Sequence, residues 1–310
     1  MRFFDLHCDT LYRIIEENQN IYSNTFHVDI SRTSKYKPYI GCHAIFIPDE
    51  YRGQNALDLF NRAHKELCLQ EEKFNKYIKV CKNKSDIKNA NENSTKQEII
   101  FTVEGGAALA GNINNVKHLY NRGVKIMTLT WNGSCEIGDG VGVENSRGLS
   151  KFGTSVIKQM ENLGIIVDIS HASEKLFYDV SQVASKPFIA THSNAKYICP
   201  HRRNLTDEQF KVIKNSGGIV GVTFAKDFLS EKDASLTDII KHIEHFLSLS
   251  GENTVSIGSD FDGTDMPKGI DGIESIYSLY EQMLKLNYSE SLLDKIFYKN
   301  AYDFITNNIK

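Results

Sequence analysis

The sequence predicts a (β/α)8 TIM barrel, and three observations carry that expectation. Short apolar runs rich in β-branched and aromatic residues alternate with longer amphipathic stretches, and eight such runs can be counted. The 310 residues suit one barrel with insertions, a fold that typically takes ~250 residues. The first run ends in His7-Cys8-Asp9-Thr10 and not in a glycine-rich turn, which sets the chain apart from an open nucleotide-binding sheet. Strands that alternate with helices form parallel βαβ units, and eight units close on themselves.

Taken in order, strands are expected at 3–8, 42–47, 98–103, 124–130, 164–169, 187–192, 218–224 and 254–260. Helical patterns lie between them at 57–77, 149–163, 173–183, 206–216 and 236–250. In the last of these, Ile239, Ile240, Ile243, Phe246 and Leu247 recur at helical spacing. Ser173 is placed to cap one helix, and Thr206 with Gln209 three residues on has the form of a capping box. The polar stretch 82–97 resembles a linker, but a strand follows it at once, so it is read as a surface excursion within the barrel. Residues from about 273 to 310 look helical and are expected to pack outside the barrel. The whole chain, 1–310, is read as one barrel domain.

Composition narrows the function. Hydrophobic residues at 41% and charged residues at 24% are ordinary globular values. A chain this long buries a core that needs no disulfide. The net charge of −3 offers no reason for a nucleic acid or an anionic membrane as partner, which favours a small-molecule substrate. The N-terminus lacks the apolar core of a secretory signal, and no window approaches ~18 uninterrupted apolar residues. A cytoplasmic location is therefore expected. The six cysteines are scattered without a C-x-x-C pair and read as reduced thiols, mostly small buried hydrophobes.

The chemistry collects at strand ends. Residues two apart on a strand share a face, so His7 and Asp9 project together where the first strand finishes, on the catalytic end of a parallel barrel. Glu104 follows Ile99–Val103 in sequence and precedes Gly105-Gly106. His171 follows I-I-V-D-I-S, His192 follows F-I-A-T, and Asp260 follows V-S-I-G-S. Each alone is as well explained by a hydrogen-bonded strand end, whereas six together point to one site. Three imidazoles with Asp9 and Glu104 form a ligand set that suits Zn²⁺. Glu104 can bridge two ions, with His7 and Asp9 on one side and His171 and His192 on the other. Asp260 is then free to act as general base toward an activated water. Of the remaining histidines, His27, His64, His118, His242 and His245 read as surface or packing residues, while His43 and His201 stay ambiguous.

The segments F-F-D-L-H-C-D-T, T-V-E-G-G, M-T-L-T-W-N-G-S, V-D-I-S-H-A-S, T-H-S-N-A-K-Y-I-C-P-H-R-R-N-L-T-D and I-G-S-D-F-D-G resemble the membrane dipeptidase family of zinc peptidases, in the family's order. The likeness spans about residues 3 to 265, and the spacing from His171 to His192 with R-R-N beyond it is its most distinctive part. The resemblance implies a binuclear zinc barrel that hydrolyses dipeptides, some with a C-terminal D-residue. It implies His7, Asp9 and Glu104 on one zinc, Glu104, His171 and His192 on the other, and Asp260 in proton transfer. Arg203 would pair with the substrate's terminal carboxylate, a task a planar guanidinium performs bidentately. It also suggests a homodimer. Where the family's eukaryotic members carry a His directly after L-T, this sequence has Trp131, which either alters substrate preference or simply walls the pocket. A related hydrolase of another small amide or lactone, or a metal-binding homologue without turnover, are the alternative readings.

Overall fold

Eight parallel strands are present in the computed structural model, which describes residues 1–89 and 96–310. They are β1 (Phe3–Cys8), β2 (Tyr39–Phe46), β3 (Ile78–Val80), β4 (Gln97–Glu104), β5 (Ile126–Thr128), β6 (Ile166–Asp168), β7 (Val220–Val222) and β8 (Val255–Ile257). Hydrogen bonding follows the order β6-β5-β4-β2-β1-β8-β7. The remaining gap is closed by Ile189, bridged to Asp168 on β6, and Ala190, bridged to Val220 on β7. Seven strands and this segment therefore make the expected (β/α)8 barrel.

The segment expected as a strand at 187–192 is reduced to these two bridges for a visible reason. Pro187 has no N–H to give a ladder. Further along, the Thr191 amide donates to the Asp168 carboxylate (3.0 Å) and the His192 amide to Ser170 Oγ (3.1 Å), so side chains take the donors a ladder would use. Conversely, β3 is an addition the sequence did not signal. It pairs with Gln97–Ile99 at the start of β4, on the edge that β5 occupies farther along at Thr102–Glu104.

The lower barrel is filled by inward residues from successive strands, including Phe4, Ile40, Ile100, Ile126, Ile166 and Ile219. The C-terminal helix Asn300–Asn308 and the turn before it press Tyr298, Ala301, Phe304 and Ile305 onto this layer. The C-terminal region thus lies outside the strands, as expected, and serves as the plug of the barrel's N-terminal end.

Helices form where capping chemistry marks them. Ser150 caps Lys151–Leu163, and Gly164 ends it at φ +82. Ser173 accepts from the Leu176 amide, and Thr206 with Gln209 completes the capping box of Asp207–Asn215. Gln54–Lys73 and Leu236–Ser248 fill the other expected positions. Of the polar stretch, Lys84–Lys88 is a short helix, 90–95 lies outside the described residues, and Gln97 already belongs to β4. All six cysteines are free, four of them buried. Among the described residues no helix is long and apolar enough to cross a membrane.

Glu98 shares the inward face of β4 with Glu104, six residues away at the opposite end of the barrel. Burial raises its carboxyl to about 7, and its Oε2 has no hydrogen-bond partner among the described residues. The folded state holds this proton more tightly than the unfolded chain. Stability from it is therefore full below the ordinary carboxyl range and is lost as pH rises through about 7. Glu98→Gln is expected to raise the melting temperature by a few degrees at pH 8 and to leave it unchanged at pH 4; equal effects at both pH values would contradict this account.

Candidate active site

The mouth of the barrel is organised by turns that regular strands cannot make. Pairing of β1 with β2 shifts register between Asp5 and Cys8, freeing the end of β1 from strict alternation. The buried Asp5 carboxylate ties this end to the turn after β8, accepting from the Ser259 amide (2.8 Å) and hydroxyl (2.5 Å). His171, Asp260 and Asp262 all adopt left-handed backbone, at φ +66, +62 and +71. Such conformations cost energy in non-glycine residues and gather at functional sites. Gly263 is needed for close approach, since a Cβ there would lie 2.2 Å from Asp9 Oδ2 and 2.5 Å from Asp260 Oδ1.

These turns bring all six expected residues together. His7 Nε2 stands 3.2 Å from Asp9 Oδ2, 3.7 Å from Glu104 Oε2 and 3.8 Å from Asp260 Oδ1. On the other side of Glu104, its Oε1 lies 2.8 Å from His171 Nε2 and 3.5 Å from His192 Nε2. Two overlapping groups, His7–Glu104–His192 and His7–Asp9–Asp260, keep their ligand atoms within 4.8 Å of one another. All six residues are buried.

Hydrogen bonds behind the rings decide where the imidazole protons sit. Thr191 Oγ1 donates to Asp168 (2.6 Å), because a carboxylate only accepts; toward His192 Nδ1, at 2.9 Å, it must therefore accept. His171 Nδ1 likewise donates to Asn132 Oδ1 at 2.9 Å. Both Nε2 atoms are then bare lone pairs, yet they stand 2.9 Å apart and face the Glu104 carboxylate. Burial pushes both imidazoles well below their usual range, which keeps them unprotonated. Lone pairs and a carboxylate at these distances repel unless a cation lies among them. Asp9 Oδ1 adds a buried acceptor with no partner among the described residues. The donor set fits a metal centre of imidazole nitrogens and carboxylate oxygens.

The acidic side is equally short of positive charge. Burial, then the charges of Asp9 and Glu104, push the Asp260 carboxyl well above its ordinary value. Burial opposes charge on His7, but the surrounding carboxylates outweigh it and raise the imidazole to about 10.

Around this centre, a cavity of about 260 Å³ is walled by Tyr12, Phe46, Trp131 and Phe228 above the carboxylates. Trp131 packs edge-on to Phe46 at 4.8 Å, its ring 6.1 Å from that of His171. Arg203 is 6% exposed and donates to the His192 carbonyl at 3.3 Å. Its guanidinium sits 5.4 Å over the Phe228 ring, while its Nε has no partner among the described residues. Asp262 serves its turn, accepting from Thr10 Oγ1 (2.5 Å) and the His27 amide (2.6 Å). Of the ambiguous histidines, His43 is buried with both ring nitrogens unpartnered among the described residues, and His201 stacks on Phe228 at 4.5 Å.

Sequence reasoning missed the residues behind the ligands. Asn132, Thr191 and Asp168 orient two of the three imidazoles. A signal existed in Asp168, a carboxylate within the apolar run I-I-V-D-I. For Asn132 there was none beyond its place after Trp131.

A (β/α)8 barrel that gathers three imidazoles and three carboxylates at its C-terminal mouth, short of positive charge, is a metal-dependent hydrolase. The model of the membrane dipeptidase family (peptidase family M19) matches residues 1–307, and the chain belongs to that family. It is 33% identical over 234 residues to an uncharacterized protein in the pqqA 5′ region of Klebsiella pneumoniae, covering 72% of this chain and 86% of the relative. Among solved structures, it is similar to a metallopeptidase from Rhodobacter sphaeroides liganded with a phosphinate mimic of the dipeptide L-Ala-D-Ala. That match has 25% identity and a TM-score of 0.92, covering 100% of this chain and 99% of the other. The family M19 metallopeptidase dipeptidase AC is similar at 26% identity and the same TM-score of 0.92, with 100% and 99% covered.

Proposed function

We propose that this protein is a zinc-dependent dipeptidase that hydrolyses the peptide bond of a dipeptide carrying a free terminal carboxylate. The observation that carries this reading is the convergence of two unprotonated imidazole Nε2 atoms and the His7–Asp9 pair on opposite sides of one carboxylate, Glu104. His7, Asp9 and Glu104 would hold one ion, and Glu104, His171 and His192 the second. Ions held there would supply Lewis acidity, which would make a water a stronger nucleophile near neutral pH and draw electron density from a peptide carbonyl.

The chain's own groups complete the reaction. Arg203 fixes the substrate's carboxylate through a buried fork that has donors to spare. Asp260, beside His7 at the floor of the cavity, accepts the proton of the attacking water and returns it to the departing amine. The aromatic walls exclude bulk water and make the site selective. Trp131 presents an indole N–H that cannot become cationic on the cavity wall, and we assign it the role of narrowing the substrate range. Arg203 disfavours an uncharged lactone or cyclic amide as substrate. The likeness to a structure holding a dipeptide mimic supports the dipeptide reading and the inclusion of C-terminal D-residues.

The test is hydrolysis of a panel of L,L- and L,D-dipeptides before chelation, after it, and after zinc is restored. Cleavage that zinc restores is expected. Protein shown to hold metal yet cleaving no dipeptide would reject the assignment in favour of another amide or a binding role. On the same panel Trp131→His is expected to broaden the set of substrates cleaved, and an identical profile would remove Trp131 from the account.

A further inference from the structure

A second cavity, of about 490 Å³, opens beside the first, with His171 on the wall of both. Arg203 lines this side chamber together with Lys196, Arg202, Asn145 and Ser193. We infer that the chamber receives the side chain of the substrate's C-terminal residue and that Lys196 selects an acidic one, so that dipeptides ending in Glu or Asp are preferred. The inference rests on the dipeptidase reading, in which Arg203 holds the α-carboxylate at the chamber's wall.

Once that carboxylate is fixed, the adjoining side chain has two places to go. The first cavity offers Tyr12, Phe46, Trp131 and Phe228, over the carboxylates of Asp9, Glu104, Asp260 and Asp262. In the dipeptidase reading those carboxylates are given over to the two ions and the scissile bond, and Arg13 on that wall is already engaged by Glu17 at 2.5 Å, so an acidic side chain there loses its water without gaining a free partner. The side chamber offers cations. Lys196 is half-buried, its amide pinned to the Leu205 carbonyl at 2.8 Å, and its ammonium has no ion pair among the described residues. Arg202 is likewise unpaired but exposed, whereas Lys175 is already engaged by Asp179 at 3.2 Å.

Two carboxylates, Glu144 and Glu174, share the chamber wall, and depth decides between the signs. Both glutamates are exposed, so water and salt screen them. Lys196 and Arg203 lie deeper, where the same charge acts through less solvent. A lysine is a compact point charge on a flexible stem, suited to a carboxylate whose position varies with side-chain length and configuration.

The test compares Ala-Glu with the isosteric Ala-Gln, in both C-terminal configurations, on the metal-loaded protein. A preference for Glu of about ten-fold in kcat/KM is expected, carried mainly by KM, as for one partly desolvated charge pair. Lys196→Gln should bring the ratio close to one. Lys196→Glu should invert it, favouring Ala-Lys over Ala-Glu, which a general folding defect cannot do. A wild-type ratio of one, or a ratio that neither variant moves, overturns the inference while cleavage of Ala-Ala leaves the dipeptidase reading intact. Should no dipeptide be cleaved, calorimetric binding of free glutamate against glutamine reads the chamber without turnover. Preference for glutamate that depends on Lys196 would then uphold the chamber's role although the dipeptidase reading had failed, and equal binding would overturn the chamber's role as well.

Discussion

Glu104→Gln is expected to abolish measurable dipeptide hydrolysis and to leave the protein folded but depleted of metal. The side chain is buried at the end of β4, with imidazoles at 2.8 Å and 3.5 Å from one oxygen and 3.7 Å from the other. An amide of the same size fills the same space. It presents one oxygen in place of two and no charge, so it cannot bridge two cations. Charge stabilisation at such centres amounts to several kcal/mol, which corresponds to about 10³-fold in rate. Elemental analysis separates this from a misfolded variant: metal content should fall while the thermal transition remains cooperative. A variant that keeps its full metal complement and a kcat within about ten-fold of wild type would remove Glu104 from the centre. Restoring zinc to the chelated wild type should recover activity, whereas zinc added to the variant should not.

Much of this site was legible because parallel barrels put strand ends on one face, so a polar residue after an apolar run already has a location. His7, Asp9, Glu104, His171, His192 and Asp260 were all found by that rule, and their convergence follows from the geometry that motivates it. The segment 187–192 was harder. Its apolar pattern promised a full strand, but the Asp168 and Ser170 side chains take the amides of Thr191 and His192, a tertiary effect that no local pattern encodes. The strand β3 escaped for the opposite reason, being three residues long and sheltered on part of an edge of β4. Asn132 was invisible because its partner, His171, lies 39 residues away. The side chamber, too, depends on segments near 145, 175 and 203 meeting in space.

Asp260→Asn is expected to lower kcat by roughly 10²–10⁴-fold, the range for loss of a positioned general base, with metal content and KM largely retained. Asn is the informative replacement because of the backbone. Residue 260 sits at φ +62, a region that Asn adopts at least as readily as Asp and more readily than most other non-glycine residues. Its amide donates to the His7 carbonyl at 3.0 Å, and its carbonyl receives the Gly263 amide at 3.2 Å, so the turn is held by main-chain atoms that the substitution keeps. Asp260→Ala would combine loss of the base with strain at φ +62 and leave an unfilled space beside His7. The difference between the two variants therefore measures the turn, and the Asn variant alone measures the proton transfer. Gly263→Ala offers the complementary control: its Cβ would collide with the carboxylates of both Asp9 and Asp260, so it should disturb metal binding and catalysis together. If Asp260→Asn instead lost metal in proportion to activity, Asp260 would belong to the ligand set with His7 and Asp9, and the proton would have to leave by another group.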